Sequence, residues 1–152
     1  MLSRQMQNAY GRSALETEVS VASPHKLILM LYDGALQAIR MAKIPMQEKR
    51  YADKGKLISK SIAIIDDGLR ASLNTEVGGE LAQNLDALYE YCSQRLLQAN
   101  LKNDVALLDE VEALLIELRE AWAGIQPGAA TPQAPAAPAA TPGRGPMSYG
   151  EA

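Results

Sequence analysis

The chain contains no phenylalanine, and aromatic residues make up only 5% of its 152 residues. A core must therefore come from leucine, isoleucine, alanine and methionine, which suit helices better than sheets. A single cysteine, Cys92, excludes an internal disulfide framework and fits a reducing compartment. Histidine also occurs once, as His25. Ser-His catalysis needs a histidine beside its partners, and di-metal bundles need two Glu-x-x-His motifs. One histidine at the start of a helix supplies neither, so no catalytic residue, cofactor or metal site is expected. Cys92 is expected to be a small buried hydrophobe. A basic excess is missing too: the formal net charge is -3, which argues against a nucleic-acid partner. No segment reaches 18 apolar residues, and "MLSRQMQNAYGR" holds no apolar signal core, so a cytoplasmic protein without membrane insertion is expected. Gly78-Gly79 lacks the lysine and hydroxyl of a phosphate loop and reads as a turn.

What is present is ordinary for a globular domain: 47% hydrophobic and 22% charged residues, enough for one core. Six of the eight prolines fall between Pro127 and Pro146. Residues 127–152 therefore read as a disordered Pro/Ala-rich tail. Residues 1–22 form a separate N-terminal arm, leaving 23–126 as the folded domain. Ser23-Pro24 is a cap followed by proline at the first helical position, which starts helix 1 over 24–43, stopped by Pro45. Helix 2 is predicted over 47–73, loose at Gly55. Gly78-Gly79 breaks the chain before helix 3 over 80–101. Asn103 caps helix 4 over 104–123, and Gly124 stops it. Short connections make consecutive helices antiparallel, so the expected fold is all-α, an antiparallel four-helix bundle.

Helical spacing then assigns faces. The stretch "HKLILMLYDGALQAIRMAK" places Ile28, Leu31, Ala35, Ala38, Ile39 and Ala42 on one face. Helix 2 offers Ile58, Ile62, Ile65 and Leu69. Helix 3 offers Leu81, Leu85, Leu88, Cys92, Leu96 and Ala99, and helix 4 offers Leu108, Val111, Leu115, Leu118 and Trp122. These stripes suffice for a bundle core, yet apolar residues are left over. Leu29, Tyr32 and Leu36 form a second line on helix 1. Leu57, Ile64 and Ala71 repeat on helix 2 beside the small Ser61 and Gly68. Leu107 and Leu114 widen the helix 4 stripe, and Tyr89 flanks that of helix 3. Such lines fit a wide bundle that buries them all, a dimer, or a groove for a partner. Charge is also uneven. Basic residues from Arg40 to Lys60 crowd helices 1 and 2, and acidic residues from Asp104 to Glu120 crowd helix 4. They read as solvated faces or as a means of orienting a charged partner.

Taken in order, several motifs form a series: "NAY" at Asn8-Ala9-Tyr10, "SPHKLILMLYDGAL" from Ser23, "GGELAQNLDALYEY" from Gly78, "RLLQAN" from Arg95 and "LREAW" from Leu118. This series strongly resembles the flagellar secretion chaperone family FliS over roughly residues 6–125. The tail after Gly124 departs from the compact family pattern. The resemblance implies a four-helix bundle that binds the C-terminal segment of newly made flagellin in the bacterial cytosol. It further implies that binding prevents early polymerisation and assists delivery to the export gate. In that light the second lines (Leu29, Tyr32, Leu36, Leu57, Ile64, Ala71, Tyr89, Leu107 and Leu114) become a groove for amphipathic segments. The family's N-terminal segment is tied to gating and export docking, a role carried here by Met6 and Tyr10. The free protein is expected to be a monomer or weak dimer. The competing expectation is a homodimeric helical adaptor without chaperone activity.

Overall fold

The computed structural model describes residues 22–125 and Gln133. Its first helix, α1, spans Pro24–Gln47. The Ser23 hydroxyl accepts from the Lys26 amide at 3.1 Å, satisfying an orphan donor, and Pro24 fills a position that needs none. Pro45 does not end this helix as expected. It sits in the last turn, where its missing N–H forfeits one bond, while the Glu48 amide still reaches the Ile44 carbonyl at 3.0 Å. The helix ends two residues later, and Lys49 turns the chain at φ 59°.

The second helix, α2, spans Tyr51–Ala63 and runs on as a π-helical segment, Ile64–Arg70. Gly55 does not interrupt it; a β-carbon there would lie 3.9 Å from the Asn100 side chain. The third helix, α3, spans Thr75–Lys102, starting earlier than the glycine pair suggests. Asn74 caps it by accepting from the Glu76 and Val77 amides. Gly79, at φ 53° and ψ -129°, kinks the helix instead of preceding it. Asn103 belongs to the end of α3, in the left-handed conformation at φ 52°. The cap of α4, Val105–Ala123, is Asp104, and Gly124 closes it.

Cross-helix pairs give the packing order. Between α1 and α4, Asp33 meets Arg119, Arg40 meets Glu112, and Lys43 meets Asp109, so the partners descend as the chain rises. Ser61 on α2 donates to the Ala35 carbonyl of α1. Lys54 donates to the Asn100 carbonyl, Ser93 to the Asp66 carboxylate, and Arg70 to Asp86, joining α2 to α3. Arg95 on α3 pairs with Glu110 on α4. The result is an antiparallel four-helix bundle in which each helix neighbours the next and α4 returns to α1. Its axis is filled by Ile28, Ala35, Ile39, Ile58, Ile65, Leu69, Cys92, Leu96, Leu108, Val111 and Leu115, all buried. No helix among the described residues is long and apolar enough to cross a membrane.

Candidate functional site

The residues expected to form one groove are distributed by the bundle over its seams. On α1, Leu29 and Leu36 share a face with Asp33 and Arg40, which pair with α4. That line therefore faces α4. Leu36 and Tyr32 are buried, and Leu29 packs half-buried against the core. On α2, Ile64 meets Gly34 of α1, where a β-carbon would lie 3.3 Å from the Ile64 Cδ1. Gly68 lies so close to Leu31 that a β-carbon would sit 3.0 Å from its Cδ2. The small residues beside the α2 line thus serve a tight α1–α2 crossing. On α4, Leu107 and Leu114 share a face with Glu110, which pairs with Tyr91 and Arg95 of α3. Both pack against the core. Tyr89 is fully buried. Tyr32, Leu36 and Tyr89 are therefore core side chains and do not line an open surface. The physical reason is that a second apolar line on one helix is covered by whichever neighbour lies beside it.

Leu57 is different. It lines an open concavity of about 450 Å³ with Met41, Ile44, Pro45, Arg50, Asp53 and Lys56, at the end of the bundle where α1 turns into α2. Met41 is 50% exposed and Ile44 57%. These two were not picked out from the sequence, although their three-residue spacing on the face opposite the core stripe was the available signal. Ala71 is exposed near the end of the π-helical segment. Met6 and Tyr10 lie outside the described residues.

Much of the charge is used internally. Arg40 and Lys43 converge on Glu112, and Lys43 and Arg40 together hold its carboxyl below the ordinary carboxylate range. Arg50 pairs with Glu48 and Asp53. Lys54 is buried against the last turn of α3, where its ammonium meets a helix-end carbonyl and lies 5.1 Å from the Tyr51 ring centre. Lys56 keeps its place on the rim of the concavity.

A buried polar chain runs through the other end. The Tyr32 and Tyr89 hydroxyls bond to each other. The Tyr89 hydroxyl donates to the Gln133 side-chain oxygen at 3.2 Å, so it accepts from Tyr32. The Gln133 amide donates to the Leu69 carbonyl at 3.1 Å, and its backbone bridges that of Leu73 in antiparallel fashion. Gln133 is only 6% exposed. Composition placed this residue in a solvated tail, and its docking corrects that expectation at this position. Burial pushes the Tyr32 hydroxyl up to about 12 and the Tyr89 hydroxyl higher still. The buried Cys92 thiol is likewise pushed up to about 12, which makes it a poor nucleophile. Among the described residues, no three His, Cys, Asp or Glu side chains are grouped to hold a metal ion.

The model of the family described as "Flagellar protein FliS" matches residues 6–129. The flagellar secretion chaperone FliS of Salmonella typhimurium is 49% identical over 121 residues, covering 80% of this chain and 90% of that protein. The flagellar secretion chaperone FliSB of Pseudomonas aeruginosa is 49% identical over 116 residues, covering 76% and 91%. A more distant relative, the flagellar secretion chaperone FliS of Bacillus subtilis, is 37% identical over 117 residues, covering 77% and 85%.

Proposed function

The chain belongs to the FliS family, and from that premise we propose that it is a cytosolic export chaperone for flagellin. It binds the C-terminal segment of flagellin, keeps it from polymerising early and assists its delivery to the flagellar export apparatus. The observation that carries this reading, beside the likeness across the whole bundle, is the open apolar concavity lined by Met41, Ile44 and Leu57. A disordered client segment with an apolar stripe gains by burying it there, at about 25 cal/mol per Å² of apolar surface. The segment loses its conformational freedom on binding, which offsets much of that gain and leaves it releasable. Lys56, Arg50 and Asp53 on the rim give the client's polar side chains partners of both signs. The N-terminal arm, through Met6 and Tyr10, is assigned to gating and to contact with the export machinery.

Co-purification tests this reading. Full-length flagellin should form a 1:1 complex with the chain, and flagellin lacking its C-terminal segment should not. A stable homodimer indifferent to flagellin would overturn it in favour of a helical adaptor.

A further inference from the structure

We propose that the α1–α2 concavity takes its client as an amphipathic helix bearing carboxylates one turn apart, and that Lys56 and Lys60 select those carboxylates. The inference rests on the chaperone reading and adds the conformation and the charge of the segment bound. The conformation follows from the lining. Met41, Ile44, Pro45 and Leu57 bring no strong hydrogen-bonding side-chain group into the concavity. An extended segment laid on them would bury amide and carbonyl groups against side chains that do not answer them. A helix bonds those groups internally and presents its apolar stripe.

The charge follows from what the bundle leaves over. Between Ile44 and Lys60 the sequence has five cations and two carboxylates, a net of +3 in a chain whose formal net charge is -3. The bundle uses part of this excess itself. Arg50 pairs with Glu48 at 2.8 Å and with Asp53 at 2.6 Å, and Lys54 turns inward to the Asn100 carbonyl. All five arginines of the described residues are held in ion pairs. Lys56 and Lys60, by contrast, are exposed and form no ion pair among the described residues. Lys56 lines the concavity beside Leu57, and Lys60 stands one turn further on the same face of α2. The two lysines are thus about 6 Å apart along the helix axis, on the α2 side of the apolar floor. Carboxylates at i and i+4 of a docked helix match that spacing. A second copy meeting this face symmetrically would set lysine against lysine. A flat lipid surface would touch the rim and leave the concave floor unfilled. Pairs at such a rim stay partly solvated, so each is worth about 1.5-fold to 5-fold in affinity and is screened by salt.

The test uses the full-length chain and the isolated C-terminal segment of flagellin, prepared with its native carboxylates and with every Asp and Glu replaced by the amide. In calorimetric titrations at about 50 mM salt, the native chain should bind the carboxylate form about 2-fold to 25-fold more tightly. The double variant Lys56→Glu/Lys60→Glu should keep the native circular dichroism, since both side chains are exposed, and should bind the amide form better. Lys102→Glu, a reversal of sign outside the concavity, should keep the native preference. Both preferences should shrink at about 500 mM salt. The bound segment, labelled with carbon-13, should show helical chemical shifts along its apolar stripe. An equal preference in the native chain and the double variant overturns the proposal, as does an extended segment against Leu57, and either leaves the chaperone reading intact. Indifference of the native chain to the client's carboxylates also overturns it, and sedimentation of that chain with phosphatidylglycerol vesicles would then assign the lysines to a lipid surface. Failure of both segments to bind any of these chains overturns the chaperone reading as well.

Discussion

His25 and Trp122 hold each other by two hydrogen bonds and a stacked ring pair across 97 positions of sequence. The His25 Nε2–H donates to the Trp122 carbonyl at 2.8 Å, and the Trp122 indole donates to the His25 carbonyl at 3.0 Å. Their ring centres lie 5.2 Å apart, 18° from parallel. The latch ties the first turn of α1 to the last turn of α4. It gives the Trp122 carbonyl, which also accepts from the Ile125 amide at 3.1 Å, a second donor. It also gives the only histidine a structural role, beyond the surface or capping position its place in the sequence suggests.

The latch should be measurable. His25→Ala should cost about 1–2 kcal/mol of unfolding free energy, through the lost ring hydrogen bond and the lost stacking on Trp122. Trp122→Ala should cost about 3–5 kcal/mol. The double mutant should be less destabilised than the sum by more than about 0.5 kcal/mol. Additive losses in urea titrations would mean that the two residues act separately.

Leu57 and Ile64 look equivalent on a helical wheel but should behave differently. Leu57→Asp places a carboxylate on a half-buried side chain that can turn towards an open concavity, so the bundle should lose only about 1–2 kcal/mol while flagellin affinity falls at least tenfold. Ile64→Asp inserts a charge against Gly34 in the α1–α2 seam and should cost about 2–4 kcal/mol. Thermal melts and client titrations of both variants, side by side, check this. Equal melting temperatures would place Ile64 on the surface.

The buried tyrosines predict an alkaline limit. A tyrosine titrates near 10.0 when unperturbed, and burial raises Tyr32 to about 12 and Tyr89 further. Above pH 10 the unfolded chain loses protons that the folded chain still holds, so stability must fall as pH rises. The contribution is fully present below pH 10 and is lost progressively towards pH 12 and beyond. Tyr32→Phe should be slightly less stable at pH 8 yet lose stability less steeply between pH 10 and 12. An unchanged slope would show that Tyr32 ionises as readily in the folded protein as in the unfolded chain.

Two glycines should answer differently to alanine. Gly79 has open space around it but a backbone, φ 53° and ψ -129°, that side chains resist, so Gly79→Ala should cost about 1–3 kcal/mol. Gly68→Ala crowds only the flexible end of Leu31, and alanine's better helix propensity, worth about 1 kcal/mol, opposes that cost. It should stay within about 1 kcal/mol of the native chain by chemical denaturation. A larger loss for Gly68→Ala than for Gly79→Ala would reverse the assignment of strain.

The sequence by itself determined the four helices and most of their inward faces; on α3 the expected core residue Leu81 is 56% exposed, while Ala82 and Tyr89 beside the expected stripe are buried. A 3.6-residue period states which side of a helix is apolar, and Ile28, Ile39, Ile58, Leu69, Cys92, Leu108 and Leu115 are all buried as that period requires. Caps such as Ser23 were legible because a side-chain oxygen reaching back to an amide is a local matter. Boundaries at Pro45 and Gly78-Gly79 were not, since a proline in a last turn and a glycine at a kink look like breaks in one dimension. Only the tertiary structure decided what covers the second apolar lines. Periodicity gives the direction of a side chain, but not which helix stands opposite, so Tyr32, Leu36 and Tyr89 were indistinguishable from Leu57 until the helices were packed. It alone decided the role of Gln133 as well. Composition measures how much apolar area a tail can bury, and one amide bonded to a helix end and a buried tyrosine adds almost nothing to that measure.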